Sequence, residues 1–517
     1  MDTQGISLPE LFMQRATQYA DHQAILFAGQ SMDFHTLNTQ SSRAATGLAK
    51  LGVKKGDRVA LYCVNSDTFV LAYLAILKAG GSIVPINLLL NPKEIAYILN
   101  DAEVTFLIYH EAFAQQIEAC KPKLKYLPKT VGIGDNAPSD SAWPSLLSSD
   151  IQLPNLQWQP ENDLAVIIYT SGTTGHPKGA MLTHANLISN TRSVGTALHV
   201  EPGKDVFLVV LPMFHAFAAT VGLLTPLLHG LTIVPMVKFD PTLVAQTIAK
   251  ENVSIFLGVP SMYNVLLRLP EAATAQIGGL RFCISGGAAM PVEMMKRFEH
   301  RFGVMIYEGD GPSECSPVTS LNPIGGVRKA GSIGLPVPDV EMTILDEGGQ
   351  TVPLGDIGEI CVRGPNVMQG YLNQPEETAK AFFGEWFRTG DLGSEDDDGY
   401  FYIVDRKKDM IIVNGMNVYP RVLEEVLYQH PDVIEVAVVG EPSERHGEIV
   451  VAHVVLKADV VASPKVIRDF CKDHVGSHEV PKKVVFLSEL PKNAAGKIVK
   501  RALRKHGEVE RGIVPKG

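Results

Sequence analysis

A chain of 517 residues exceeds what one hydrophobic core serves, so two or more domains are expected. With 45% hydrophobic and 20% charged residues the balance is that of a globular protein, and a net charge of −10 lacks the basic field of a nucleic-acid binder. The six cysteines form no Cys-x-x-Cys pair and no Cys/His metal spacing, which excludes a zinc module and fits a reduced, cytoplasmic setting.

The N-terminal "MDTQGISLPELF" carries no basic segment followed by an apolar run, so no signal peptide is expected. "SLPELFMQRATQYA" predicts an amphipathic helix with Ser7 as N-cap and Pro9 in its first turn. "DRVALYCV" reads as a buried strand, "DTFVLAYLAILKAGG" as a helix closed by Gly80 and Gly81, "SIVPIN" as a strand and "KEIAYILNDAE" as a helix. The 21-residue segment 217–237 is uncharged if His229 is neutral, yet Pro226, Gly230 and the run "LTIV" predict a buried helix, a turn and a strand rather than a membrane span. "VSIFLGVP", "SMYNVLLRLP" and "LRFCISGGA" continue the alternation of strand and helix, which predicts an α/β fold with largely parallel sheets. From about 339 to 404, short alternating strands with Gly and Pro turns predict a small β-rich subdomain. Beyond Asp405 two helix patterns flank two long strand patterns, a compact α+β piece. The expected division is residues 1–404, a hinge at 405–408 and a mobile domain at 409–517.

Residues 169–182 read "YTSGTTGHPKGAML". A Walker loop needs G-x-x-x-x-G-K-[ST] running into a helix, whereas here Pro177 precedes Lys178 and Gly179 takes the place of the metal-binding hydroxyl. The dinucleotide fingerprint G-x-G-x-x-G is also missing. What remains is a strand, "DLAVIIYT", leading into a loop of hydroxyls and backbone N–H donors. Thr170, Ser171, Gly172, Thr173, Thr174 and Gly175 can converge on phosphate oxygens, and Lys178 adds a cation.

Further motifs follow in order: "LPMFHAF" at 211–217, "SGGAAMP" at 285–291, "EGDGPSE" at 308–314, "GEWFRTGDLG" at 384–393, "YFYIVDRKKDMIIVNGMNVYP" at 400–420 and "PKNAAGKIVKRAL" at 491–503. Together with the loop they resemble the adenylate-forming superfamily of acyl-CoA synthetases, adenylation domains and luciferases. The resemblance implies a large N-terminal AMP-binding domain of α/β sheets with a small β-rich subdomain, followed by a small mobile α+β domain. It implies that Gly286, Gly287 and Ala288 lie against adenine, where small residues admit a flat purine. Asp310 stands where the family usually has an aromatic, which removes ring stacking and leaves backbone contacts at Asp310 and Gly311. Ser313 keeps a hydroxyl for phosphate, and Glu314 is the implied Mg²⁺ ligand, a hard oxygen donor beside ATP. Asp391 and Arg406 are the implied ribose contacts, Lys408 the hinge, and Gly415 a contact of coenzyme A. Lys497 matches the catalytic lysine, and His215 the motif histidine near the acyl pocket. Val422 departs from the usual glutamate after Pro420.

The implied reaction has two halves: a carboxylate attacks the α-phosphorus of ATP to give an acyl-adenylate and pyrophosphate, then coenzyme A displaces AMP. Lys497 would bridge the two anions; no general base is needed, because a carboxylate is already ionised at neutral pH. No Asp stands at "FHAF" to pair with a substrate amino group, so an amino acid is disfavoured. "FHAFAATVGLL" and "FLGVPSMYNVLL" are expected to line an apolar acyl pocket through His215, Phe217, Val221, Val259 and Met262. The stretch around Asp391 looks most like fatty acyl-CoA synthetases, which points to a medium- or long-chain fatty acid. An aryl acid such as a hydroxycinnamate or benzoate is the alternative. A non-catalytic adenylate- or acyl-binding protein is a remoter one, disfavoured by Lys497, Glu314, Asp391 and Arg406 standing together. The partners expected are small molecules alone: ATP, the acid and coenzyme A.

Overall fold

The structure, a computed structural model, describes residues 5–170, 176–458, 460, 462–493 and 496–509, with side chains as far as 504 in the last stretch. Helix Leu8–Gln18 begins as its sequence predicts: Glu10 N–H donates to Ser7 Oγ, and the Ser7 N–H donates to the Glu10 carboxylate at 2.9 Å. This reciprocal pairing satisfies two donors that every helix start leaves open.

Four sheets organise the chain. A nine-stranded sheet carries a parallel centre formed by Val206–Val209, Thr232–Pro235, Ile255–Gly258, Phe282–Ser285 and Ile306–Asp310. An eight-stranded sheet has parallel Ser82–Pro85, Arg58–Tyr62, Phe106–His110 and Lys129–Ile133 beside Leu164–Thr170. Both faces of these strands are covered, so they read as near-continuous apolar runs. The third sheet joins Glu341–Leu345, Gly358–Arg363, Phe382–Phe383, Trp386–Glu395 and Phe401–Arg406 in antiparallel pairs. A fourth begins at Ile411 and pairs the long strands Val433–Ser443 and Gly447–Leu456. The fold is therefore mixed α/β with a smaller α+β piece at the C-terminal end.

Two local features differ from their sequence reading. The segment 217–237 does give helix, turn and buried strand Thr232–Pro235, but Ala218–Leu224 winds as a π-helix before the short helix Thr225–Leu228. Pro226 has no N–H to offer the Gly222 carbonyl, and Thr225 N–H instead reaches back five residues to Thr220 O, which suits the wider turn. No helix among the described residues is long and apolar enough to cross a membrane. The strand Leu164–Thr170 does not simply enter a loop: Lys178–Thr183 returns antiparallel beside it, with Thr170 opposite Lys178. A Walker loop would pass into a helix here, so the hairpin supports the rejection made on spacing.

Candidate active site

In open α/β sheets, ligands bind beyond the carboxyl ends of the parallel strands, where loops diverge. Strands Phe282–Ser285 and Ile306–Asp310 both end at a cavity of about 920 Å³, and Leu164–Thr170 reaches it from the other large sheet. Thr170, Lys178, His215, Phe217, Val221, Gly286, Gly287, Asp310, Gly311, Ser313, Glu314, Arg406, Lys408 and Lys497 all line it. Residues drawn from six separate motifs thus face one space.

Two glycines make that convergence sterically feasible. A Cβ on Gly311 would fall 1.7 Å from the Pro317 carbonyl oxygen. Gly287 has φ +76°, and a Cβ there would approach Lys497 Cε to 3.4 Å. Lys497 arrives on a loop whose Asn493 side chain accepts the Lys497 N–H at 2.9 Å. The Gly496 carbonyl accepts the Ser261 hydroxyl at 2.9 Å, which seats the loop on the large domain.

Around Lys497 the charges alternate. Register pairs Asp391 with Arg406 on adjacent strands, and Arg406 Nε stands 3.2 Å from Asp391 Oδ1. Asp391 is buried, and its carboxyl is raised by that burial against the pull of Arg406 and Lys497. Asp310 is pushed up to about 6, by burial first and then by Asp391, with Arg406 and Lys497 opposing. Burial and then Arg406 push the Lys497 ammonium down to about 8, while Asp310 and Asp391 hold it up. Two carboxylates therefore face Arg406, Lys408 and Lys497, which leaves a local field that draws in an anion. His215 is pushed down to about 4 by burial and then Lys497, so it is a neutral imidazole at physiological pH; its Nδ1 accepts the Phe217 N–H at 3.3 Å.

Glu314 projects from the one-turn helix Ser313–Cys315. Its Oε1 accepts both the Thr170 hydroxyl at 3.1 Å and the Tyr371 hydroxyl at 3.0 Å. Both bonds fall on one oxygen, and among the described residues neither goes to Oε2, a hard donor on the cavity wall. Lys178 pairs with Glu377 and lies 5.1 Å from the centre of the Tyr371 ring. The Lys178 hydrogen bond holds the Glu377 carboxyl down to about 2.

Some expected residues lie elsewhere. Ser171, Gly172, Thr173, Thr174 and Gly175 fall outside the described residues. Ala288 is exposed and does not line the cavity, and Asp391 meets it through its neighbours Thr389 and Gly390. Val259 lines a small side pocket with Leu211, His215 and Lys497 instead of the main arm. Met262, on helix Pro260–Leu266, packs into the hydrophobic core. Its position four residues before Leu266 on the same face explains why an apolar run alone could not separate pocket from core. Gly415 sits at the tip of the hairpin Ile411–Val413 to Met416–Val418, where Asn414 and Gly415 both have positive φ, and nothing lies within 4 Å of its absent Cβ.

The sequence reading missed Tyr371 and Glu377, which hold Glu314 and Lys178 from a different segment. It also missed Val194, Leu198, Val318, Leu321 and Val337, which complete the apolar arm beside Phe217 and Val221. These come from a helix, a short strand and loops far apart in sequence, and no spacing signal links them.

Two large α/β sheets with a cavity at their strand ends, closed by a lysine loop from a small C-terminal piece, define an acid-activating ligase of the adenylate-forming class. The AMP-binding enzyme model matches residues 12–372, and the AMP-binding enzyme C-terminal domain matches residues 422–497. A long-chain-fatty-acid–CoA ligase of Bacillus subtilis is 37% identical over 96% of this chain and 94% of its own length. Among solved structures, ATP-bound MatB of Rhodopseudomonas palustris superposes with a TM-score of 0.90 at 31% identity, covering 98% of this chain and 100% of that one. A benzoate CoA ligase from Burkholderia xenovorans does so at 0.88 and 28%, covering 96% and 100%. The chain belongs to the AMP-binding enzyme family, and is an AMP-forming acid–thiol ligase with ATP and coenzyme A as substrates.

Proposed function

We propose that this enzyme activates a medium- or long-chain fatty acid, first to the acyl-adenylate and then to the acyl-CoA thioester. The observation that carries the choice of acid is the apolar arm: Val194, Leu198, Phe217, Val221, Val318 and Val337 line it, and none offers a partner to a substrate amino group. The relatives named as long-chain ligases support the same choice. ATP–pyrophosphate exchange across C6 to C18 acids, cinnamates and benzoates tests it; exchange with aryl acids alone sinks it and favours the aryl reading.

Within that reaction, Lys497 lies between the incoming carboxylate and the α-phosphate and stabilises the charge that develops between two anions. Asp391 accepts the ribose hydroxyls, with Arg406 holding its carboxylate in place. Gly286, Gly287, Asp310 and Gly311 border the adenine. The hairpin loop with Lys178 and Ser313 grips the phosphates that leave. The Oε2 of Glu314 fits Mg²⁺, which takes one or two carboxylates and fills its shell with phosphate oxygens and water. When bound, the ion would neutralise pyrophosphate charge. His215, neutral and directed by its Phe217 contact, borders the carboxylate end of the acyl arm.

Lys497 and Gly415 belong to the same C-terminal piece, yet one lines the cavity and the other does not. We assign the division to residues 1–404 and 409–517, with rotation about 405–408 and Lys408 as pivot, so that the Gly415 hairpin replaces Lys497 for the thioester step. Six cysteines, all buried and free, suit a reducing cytoplasmic setting.

Two outcomes follow here. Only the ammonium form of Lys497 can bridge two anions, so adenylation is expected to fall as pH rises through about 8 in the free enzyme. Bound polyphosphate favours the cation and moves that limb higher, so the midpoint in kcat should lie above that in kcat/KM. A pH-independent rate from 7 to 10 would contradict the assignment. Val337→Phe is expected to lower kcat/KM for the longest acids by about tenfold while sparing the shortest, by overfilling the arm; a uniform loss across chain lengths would place Val337 outside it.

A further inference from the structure

Helix Pro420–Tyr428 of the small domain packs against helix Val292–Phe302 of the large one, and the contact is chemically specific. The large-domain helix has no side-chain cap of its own, because its N-cap is Pro291. Its Val292 N–H donates instead to Glu425 Oε2 at 3.3 Å, so the other domain supplies the missing cap and a favourable charge. One turn earlier on the same face stands Arg421. Its Nη2 lies 3.9 Å from Glu308 Oε1, on the strand that ends at Asp310 in the cavity.

Glu308 is almost fully buried, with Oε1 accepting the Met290 N–H at 2.9 Å and Oε2 without a hydrogen-bond partner among the described residues. Burial pushes its carboxyl up to about 7, and Arg421 is the neighbour that pulls hardest the other way. Arg421 is held in turn by bonds to the Ile403 carbonyl at 2.7 Å and, through its N–H, to Asp405 at 2.8 Å, both at the entry to the hinge. Nearby, the Asn264 amide donates to the Ile434 carbonyl at 3.1 Å.

We propose that Arg421 and Glu425 form a docking latch: they hold the small domain on Glu308 and on the open end of helix Val292–Phe302 in the orientation that puts Lys497 in the cavity. They are positioning residues, and they serve adenylation alone. The inference rests on the reading in which the two half-reactions use two domain orientations. Neither residue lines the cavity, so neither touches substrate in this orientation. Their contacts cross from one domain to the other, so rotation about the hinge must break them.

The test separates the half-reactions in the full-length enzyme. Acid-dependent ATP–pyrophosphate exchange reads the first, and single-turnover transfer from added acyl-adenylate to coenzyme A reads the second. Arg421→Ala and Glu425→Ala are each expected to slow exchange by about tenfold, the loss typical of one hydrogen bond to a charged group. Transfer from acyl-adenylate should hold its rate or rise. Glu308→Gln should add nothing to Arg421→Ala if the two act as one pair. Equal losses in both half-reactions, or an unchanged exchange rate, would overturn the latch. If Arg421→Ala unfolds through its hinge contacts, Glu425→Ala, which has no such contact in the hinge, decides alone.

A second readout does not depend on activity. Hydrogen exchange at the first turn of helix Val292–Phe302 should quicken in Glu425→Ala, and unchanged protection there would refute the latch. A wild-type enzyme that exchanges pyrophosphate with no acid of the panel would instead refute the proposed reaction, while the hydrogen-exchange result would still judge the latch.

Discussion

Lys497→Ala is expected to slow acid-dependent ATP–pyrophosphate exchange by about 10²–10³-fold, the loss typical of removing one preorganised charge-stabilising donor. The side chain reaches the cavity beside Gly287, among Asp310, Asp391 and Arg406, on a loop fixed by Ser261 and Asn493. A carboxylate and a phosphate repel each other as they meet, and a cation already in place spares the solvent reorganisation that water would require. Because the loop would leave with the small domain before the thioester step, transfer from added acyl-adenylate should keep most of its rate. A variant that adenylates normally but cannot form the thioester would reverse the assignment. Isothermal binding of ATP should change little, since the lysine acts mainly on the transition state.

Asp391→Ala is expected to have the second largest effect, a fall of about 10²-fold in kcat/KM for ATP, if two hydrogen bonds from ribose to a charged acceptor are lost together. A buried carboxylate with Arg406 Nε at 3.2 Å is a preoriented acceptor with two oxygens for two vicinal hydroxyls. Asp391→Asn keeps one acceptor oxygen and should lose less. The readout that identifies ribose is discrimination: 2′-deoxy-ATP should lose activity with the wild-type enzyme and little further with Asp391→Ala. Equal penalties for the deoxy analogue in both enzymes would remove Asp391 from the ribose.

Local elements were readable because they obey local rules. Ser7 and Glu10 announce a capping box three residues apart, and the apolar run of Arg58–Tyr62 announces a strand covered on both faces. The site motifs were equally readable. Thr170, Lys178, Glu314, Asp391, Arg406 and Lys497 need particular chemistry in a particular order, and their order survives in one dimension. Asp310 was visible as a departure from the family's aromatic, but its setting between Asp391, Arg406 and Lys497 was not.

By itself the sequence determined the α/β alternation, the rejection of a Walker loop and the class of reaction, since periodicity, turn residues and motif order are all written along the chain. Tertiary structure decided which apolar residues face the acid. Met262 and Val221 look alike in sequence and both pack in the core, yet only Val221 also borders the cavity. It also decided that Tyr371 holds Glu314, that Glu377 holds Lys178 and that Glu425 caps a helix of the other domain. Each of these contacts joins residues between 57 and 199 positions apart. Only closure of the chain brings such groups within hydrogen-bond range, and no periodicity along the chain records it.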